Sequence, residues 1–152
     1  MLIKKAGRTL PFTGAQIFDL AADIERYPEF LPWWISASIS RREHDTCFVD
    51  QVVGRGPVRV RFASRAVLTR PERIDITSSD LSFRRFTLCI RVVPDGPIGC
   101  SLSISADLEL RSIILQQIMQ RVLASSINDI LAAFEARAHS RYDGPGVLRS
   151  VR

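Results

Sequence analysis

The 152-residue sequence predicts an α+β domain in which a curved antiparallel sheet of about six to seven strands wraps around one long C-terminal helix. Three observations predict this fold: a long helical apolar stripe near the C-terminus, alternating apolar and polar residues through most of the preceding chain, and a short helical segment after the first strand. We expect one domain over residues 1–143 and a flexible tail over 144–152.

The long helix is predicted between Ser112 and Ala138, with Ser112 as its N-cap. Apolar residues recur there at every third or fourth position, which places them on one stripe of an α-helix. The stripe consists of Leu115, Ile118, Met119, Val122, Leu123, Ile127, Ile130, Leu131 and Phe134. On the opposite face, Gln116, Asn128 and Glu135 are expected to face water. So long a stripe needs a large apolar partner, which the strands supply.

Residues 2–10 are predicted to form the first strand, and Thr13 is predicted to cap a short helix that reaches Ile24. From Ile35 onward apolar residues occupy alternate positions, which predicts strands around residues 35–40, 47–53, 58–68, 74–76, 86–92 and 102–110. In the first of these strands Ile35, Ala37 and Ile39 are assigned to the inner face. The pattern is typical of an antiparallel meander with one apolar face.

Composition excludes several classes of protein. The three cysteines include no CxxC pair, so we expect a reducing compartment and no disulfide framework. No apolar run has the length of a signal peptide or a membrane span, so we expect a cytoplasmic protein, or one peripheral to the inner membrane. The net charge of +5 is carried almost entirely by arginine, which suits phosphate or anionic lipid but is also compatible with an ordinary solvated surface.

The segment Tyr27–Trp34 is the least regular in composition, with two prolines and four aromatic residues in eight positions. Such a segment does not form a regular strand, and a tight turn or a single helical turn fits it better. Two interpretations are compatible with each other. The rings form a hydrophobic plug between helix and sheet, or they form the wall or gate of a pocket.

The polar inventory argues against an enzyme, and we assign no catalytic residue and no metal ligand. The two histidines, His44 and His139, lack ligand spacing to a cysteine or carboxylate. Asp75, Asp107 and Glu109 fall on outward-facing strand positions. No phosphate-binding or nucleophile motif is present. An enzyme would need a polar group deep in the interior, and the sequence identifies none.

Arg59, Arg61 and Arg65 alternate with the apolar residues of the strand at 58–68 and therefore share its outer face. They form a candidate basic patch for RNA, a ribosome or anionic lipid, together with Arg55, Arg84 and Arg85. The alternative is a solvated surface. We expect no aromatic side chain among these arginines, which argues against a platform for stacked bases, and we expect no specific DNA binding.

Two motifs carry a resemblance to a known family. Tyr27-Pro28-Glu29-Phe30-Leu31-Pro32-Trp33 resembles the Y-P-x-F-L-P-W signature of the coenzyme-Q-binding, polyketide cyclase/dehydrase-like subfamily of START-like domains. The segment 132–138 is similar to the closing A-F-E-x-R-A motif of that subfamily. The order of elements is also that of the helix-grip (START/Bet v 1-like) fold. The resemblance covers residues 1–142.

The resemblance implies a hydrophobic tunnel that holds ubiquinone or another isoprenoid lipid, with no covalent cofactor. It implies a carrier that supports respiratory electron transport and not an enzyme, with contact to an anionic membrane as an expectation. A bacterial branch of the same family is described as a ribosome-association toxin that acts on the large ribosomal subunit and blocks subunit joining. A polyketide cyclase/aromatase-like enzyme is the third alternative.

Alternation and helical period predict which residues contact the ligand, and the resemblance supports only those at the gate. For each residue, ordinary core packing is the alternative. The predicted set comprises Phe30, Leu31 and Trp33 at the gate, Phe62, Leu68, Phe86, Leu88 and Ile104 on the sheet, and Ile118, Val122 and Ile127 on the helix.

Overall fold

The computed structural model describes residues 2–143, and within them the side chains of residues 5–118, 120–121 and 127–142. The predicted tail 144–152 lies outside the described residues. Seven strands of the described chain form one sheet: β1 (Leu2–Leu10), β2 (Trp34–Glu43), β3 (Thr46–Arg55), β4 (Val58–Thr69), β5 (Arg73–Thr77), β6 (Phe83–Pro94) and β7 (Cys100–Leu110).

The sheet is antiparallel throughout, with the strand order β1-β7-β6-β5-β4-β3-β2. Strands β2 to β7 follow one another as a meander, and β1 pairs with β7, so that β1 and β2 are the two edges. The alternation is clearest in β7, where Leu102, Ile104, Ala106, Leu108 and Leu110 are buried. The predicted strands and the α+β class are confirmed.

The helices are α1 (Gly14–Ala22), α2 (Tyr27–Phe30) and α3 (Ile113–Ala138), and a π-helical turn, His139–Asp143, follows α3. Thr13 and Gln16 form a capping box at the start of α1, with Gln16 N donating to Thr13 Oγ1 at 3.1 Å. Helix α1 ends two residues earlier than predicted because Ile24–Arg26 adopts a separate 3-10 turn. No helix in residues 2–143 is long and apolar enough to span a membrane.

Two predicted side-chain orientations are wrong. Ile35 is 38% exposed because the pairing of β2 with β3 shifts between Trp34 and Ser36, and this bulge turns Ile35 outward. Gln116 does not face water, since its Oε1 accepts a 2.7 Å hydrogen bond from the Leu110 amide and its Nε2 is buried. A glutamine on the first turn of α3 therefore ties that helix to the end of β7.

The buried residues whose side chains are described form two clusters. The larger cluster joins α1, the C-terminal half of α3 and the middle of the sheet. The smaller one lies where β4 and β6 begin and β7 ends, and it consists of Val60, Phe62, Phe83, Ala106, Leu108 and Leu110. Phe86 and Leu88 are half-buried and contact both clusters. These two residues of β6 therefore lie at the seam between the clusters.

The two motifs that carry the family resemblance pack against each other. The Phe134 ring of α3 makes edge contacts with Tyr27 and Phe30 of α2, with centroids 5.9 Å and 5.4 Å apart. Arg137 donates a 2.7 Å hydrogen bond to Glu29 Oε1. This hydrogen bond, and then the charge of Arg26, holds the pKa of Glu29 below its usual value. The irregular segment is thus a single helical turn fastened to the end of α3.

The first prediction concerns Gly54, the last residue but one of β3. Its φ is +151°, and a Cβ there would lie 2.0 Å from the Val58 carbonyl oxygen. We expect Gly54→Ala to lower the free energy of unfolding by more than about 3 kcal/mol in urea titrations, because backbone must move. Gly56 has a φ of +61° and open space around it, so the matched Gly56→Ala control should cost only about 1 kcal/mol. Equal losses would contradict this account.

The second prediction concerns Tyr27, which is buried and donates a hydrogen bond to the Ala21 carbonyl oxygen. Burial, and then the Asp23 carboxylate, raises the pKa of Tyr27 far above its ordinary value. The unfolded tyrosine ionises near pH ~10 while the folded one stays protonated, so its stabilisation is complete below that pH and is lost as pH rises above it.

We therefore expect the free energy of unfolding to fall by up to about 1.4 kcal/mol per pH unit above pH ~10. The Tyr27→Phe protein should lack this part of the loss. Urea unfolding of both proteins across this range measures the difference, and parallel pH profiles would be the contrary result.

Candidate functional site

A cavity of about 70 Å³ lies between the sheet and α3, at the seam between the two core clusters. Its wall takes side chains from five strands and from the middle of α3. The lining residues are all apolar, aromatic or glycine: Trp33, Trp34, Val53, Gly54, Phe62, Phe86, Leu88, Ile104, Ala106, Leu108, Ile127 and Ile130. A cavity with such a wall attracts apolar groups and not water.

Trp33 and Gly54 are half-buried neighbours in the cavity wall. Trp33 has a φ of +75°, a left-handed conformation that bulky residues rarely adopt. The Gly54 amide donates a 2.8 Å hydrogen bond to the Trp33 carbonyl oxygen, and the Arg55 guanidinium lies 4.9 Å from the centroid of the Trp33 ring. These contacts hold a strained residue in the cavity wall, and strain of this kind is typical of positions with a functional role.

A buried polar chain borders the cavity behind Trp34. Trp34 Nε1 donates to Gln51 Oε1 at 2.8 Å, and Gln51 Nε2 donates to Ser64 Oγ at 2.7 Å. Ser64 Oγ in turn donates to the Val49 carbonyl oxygen at 3.2 Å. Gln51 and Ser64 are both buried, and sequence reasoning missed them. Gln51 stands two residues from both Val49 and Val53, and Ser64 stands two residues from Phe62. This spacing in a strand was the signal that places both polar side chains on the inner face.

The chain holds the Trp34 indole with its N–H bonded to a fixed acceptor. Because both polar ends of Gln51 have partners, it contributes no unpaired polar group to the cavity. Among the described residues, the cavity wall contains no titratable side chain, and no group of three or more histidine, cysteine or acidic residues could hold a metal. This described part of the wall offers contact with apolar groups and no acid or base.

The structure brings six of the predicted ligand-contacting residues together in the cavity wall: Trp33, Phe62, Phe86, Leu88, Ile104 and Ile127. Three others lie in the larger core cluster outside that wall, namely Phe30, Leu31 and Leu68. Ile118 is half-buried on α3 and also outside the wall, and the side chain of Val122 lies outside the described residues. The other lining residues were not predicted: Trp34, Val53, Gly54, Ala106, Leu108 and Ile130.

Arg59, Arg61 and Arg65 are exposed on the outer face of β4, as predicted, and none of the three has an ion-pair partner among the described side chains. The wider patch is smaller than predicted. Arg85 is neutralised because its guanidinium lies 3.0 Å from Asp107 Oδ1 and 3.8 Å from Glu109 Oε1.

The prediction that no aromatic side chain lies among these arginines is also wrong. Phe48 of β3 is half-buried on the outer face and pairs across the ladder with Arg65. The Arg41 guanidinium lies 4.2 Å from the centroid of the Phe48 ring. The outer face therefore carries one aromatic ring between arginines, which is fewer than a stacking platform for several bases requires.

Known proteins resemble this chain over most of its length. Residues 10–135 match the sequence profile of a family described as "Polyketide cyclase / dehydrase and lipid transport". The ribosome association toxin RatA of Pseudomonas aeruginosa is 23% identical over 133 residues, which span 88% of this chain and 92% of the toxin. The mitochondrial coenzyme Q-binding protein COQ10 of Dictyostelium discoideum is 21% identical over 146 residues, which span 93% of this chain and 71% of that protein.

Among solved structures, the Zhui aromatase/cyclase from Streptomyces sp. R1128 superposes with a TM-score of 0.83 at 14% identity, over 95% of this chain and 98% of that chain. At such identity the likeness shows the fold alone. Structures of the START superfamily share that fold, so the predicted helix-grip architecture is confirmed. The chain belongs to the polyketide cyclase/dehydrase and lipid transport family.

Proposed function

We propose that this protein binds an apolar ligand in the cavity between the sheet and α3, and that it acts as a carrier and not as an enzyme. The observation that carries this proposal is the composition of the cavity wall, which is entirely apolar and lies at the seam of a divided core. Burial of apolar ligand surface contributes about 25 cal/mol per Å², so affinity needs no charged group. Without an acid or base in the wall, catalysis of a cyclisation has no proton donor or acceptor there.

The ligand we propose is an isoprenoid quinone, ubiquinone above all, carried in support of respiratory electron transport. The Tyr27–Trp33 motif and the likeness to a coenzyme Q-binding protein support this choice. The cavity of about 70 Å³ is much smaller than the ~300–1,000 Å³ typical of ligand sites, so ligand uptake requires the two core clusters to separate. Trp33 and Gly54 are half-buried in the cavity wall, and their partial exposure supports an opening beside them.

The protein has two tryptophans, and both contribute to the cavity wall, so their fluorescence reports on occupancy. We expect a short-chain ubiquinone to quench this fluorescence saturably. Ala106→Leu adds three carbon atoms inside the cavity and should weaken binding at least tenfold, because the added side chain occupies the ligand's space. Ala132 is exposed on α3, so the matched Ala132→Leu protein should bind as the unmodified protein does.

Thermal unfolding of all three proteins verifies that each is folded at the temperature of the titration. Two results would contradict the proposal: quenching that never saturates, and equal affinity of the Ala106→Leu and Ala132→Leu proteins. Native mass spectrometry of the purified protein supplies a second readout, since a bound lipid adds its own mass. A folded protein that repeatedly carries no added mass and acquires none from ubiquinone would count equally against the proposal.

A second function is favoured by the unpaired arginines of β4. We propose, as the alternative, that this outer face contacts the large ribosomal subunit. Arg59, Arg61 and Arg65 share the outer face of β4, and arginines without acidic partners bind phosphate most readily. The likeness to a ribosome association toxin supports this alternative.

If the alternative holds, the protein co-sediments with large ribosomal subunits in a salt-sensitive manner. We expect the Arg59→Ala/Arg61→Ala/Arg65→Ala protein to lose at least tenfold in this binding, since each lost phosphate contact weakens it. A matched control replaces Arg91, Arg121 and Arg141, which are also exposed, and removes the same net charge elsewhere. Equal weakening by both triple substitutions would mean a non-specific charge effect and would exclude this face as the contact surface.

A further inference from the structure

We propose that the end of the sheet at which α3 begins docks onto the surface of an anionic lipid bilayer. This inference rests on the proposed carrier function, because it names the partner from which an apolar ligand would be taken. The docking end is defined by three connections: β3–β4, β5–β6 and β7–α3. The opposite end of the sheet carries the β2–β3, β4–β5 and β6–β7 connections.

Three large apolar side chains are exposed at the docking end. Leu81 in the β5–β6 loop is 80% exposed, and Ile113 and Ile114 at the start of α3 are 76% and 71% exposed. The two segments are neighbours, since the Arg111 amide donates a 3.2 Å hydrogen bond to the Ser82 carbonyl oxygen. These apolar side chains gain little burial from the described part of the chain, and entry into a bilayer interface would bury them.

A basic collar of four exposed arginines lies at the same end as these apolar side chains. Arg55, Arg59, Arg84 and Arg111 are exposed in or near the same three connections. A bulge where β6 begins helps to direct Arg84 outward, since the pairing with β7 shifts between Phe83 and Arg85. Apolar side chains and arginines at one end of the sheet are complementary to a surface that has anionic headgroups outside and acyl chains beneath.

The acidic residues at this end are outnumbered by the four exposed arginines. Asp80 accepts hydrogen bonds from the Ser82 and Ala63 amides at 3.0 Å and 3.1 Å, which hold its pKa below the usual value and keep it negative. The charge of Glu109 is offset by Arg85. The four arginines therefore leave this end positive overall.

The opposite end of the sheet has exposed apolar residues but no such collar. Ile98 is 72% exposed and Val93 is 51% exposed. The charged residues there are mixed in sign: Glu43, Asp45, Glu72 and Asp95 stand among Arg42, Arg70 and Arg73. This difference in charge between the two ends would orient the molecule, because an anionic surface attracts the docking end more strongly than the opposite end.

Part of the cavity wall lies at the docking end. Trp33 and Gly54 belong to that wall and lie beside Arg55, whose guanidinium stacks on the Trp33 ring. Docking at this end would bring this part of the wall close to the lipid, which shortens the path of an apolar ligand through water. A nucleic acid explains the arginines but gives no role to Leu81, Ile113 and Ile114.

Vesicle co-sedimentation tests the inference with ligand-free protein and quinone-free vesicles, so it does not depend on whether the cavity binds quinone. We expect binding to vesicles of phosphatidylcholine with one third phosphatidylglycerol, and at least tenfold weaker binding to pure phosphatidylcholine. The Leu81→Ser/Ile113→Ser/Ile114→Ser protein should lose at least tenfold in partitioning. Removal of Arg55 and Arg111 should cost roughly fivefold for each arginine.

The matched control is Val93→Ser/Ile98→Ser, which replaces exposed apolar residues at the opposite end and should bind vesicles normally. Far-ultraviolet circular dichroism verifies that every variant is folded. The inference is overturned if the unmodified protein does not bind anionic vesicles, or if both sets of serine substitutions act alike. It is also overturned if the triple serine substitution changes the oligomeric state without changing vesicle binding, which would assign this end to a second copy of the chain.

Failure of this inference and failure of the carrier function are distinguishable. A protein whose tryptophan fluorescence is quenched saturably by ubiquinone but which ignores vesicles retains the carrier function and loses the docking surface. A protein that binds anionic vesicles through Leu81, Ile113 and Ile114 but takes up no quinone keeps the docking surface and loses the proposed ligand.

Discussion

The contact of Phe134 with Tyr27 and Phe30 is the interaction on which the rest of the structure depends. It joins the irregular segment after α1 to the last turns of α3, and the hydrogen bond between Arg137 and Glu29 reinforces it. Aromatic edge contacts of this kind contribute about 0.5–1.5 kcal/mol each beyond their buried area. The Gln116 hydrogen bond to Leu110 holds the other end of α3 at β7, so the two ends together set the helix direction across the sheet.

The twist of the sheet explains why a cavity exists. Helix α3 contacts β1 and β7 of the sheet, together with α1 and α2. A twisted sheet departs from a straight helix on either side of their line of contact, and side chains of β3, β4 and β6 form part of the cavity wall. Among the described residues the core forms two clusters, with the cavity at their seam. A cavity of this kind costs packing energy in the free protein, and a ligand that fills it recovers that energy.

Polar groups in the interior are paired with one another, whereas some charged groups on the surface are left without a partner among the described side chains. Inside, Gln51 forms hydrogen bonds with both Trp34 and Ser64. Because these buried polar atoms are paired with one another, they leave the cavity apolar. Outside, some arginines pair with carboxylates, as Arg85 does, while Arg59 and its neighbours on β4 do not. The chain thus offers a dry cavity within the domain and an unpaired positive surface outside it, and the two proposed functions depend on different parts of this arrangement.

The sequence by itself determined the period of each element: alternation in β4 and β7, the stripe of α3, the caps Thr13 and Ser112, and the family through the Tyr27–Trp33 motif. It also identified six residues of the cavity wall, because period reports which face a side chain occupies. It did not tell a wall residue from an ordinary core residue, so Leu68 and Leu88 looked alike.

Only the tertiary structure decided that distinction, since it depends on where α3 crosses the sheet and how far each strand curves from it. Ile35, Gln116 and Arg85 departed from prediction for the same reason: a bulge, a hydrogen bond to another element and a cross-strand ion pair are relations between segments distant in sequence or displaced in register. The spacing of apolar residues is a local property of the chain, whereas a cavity depends on how the surface of the sheet and the surface of the helix fit together.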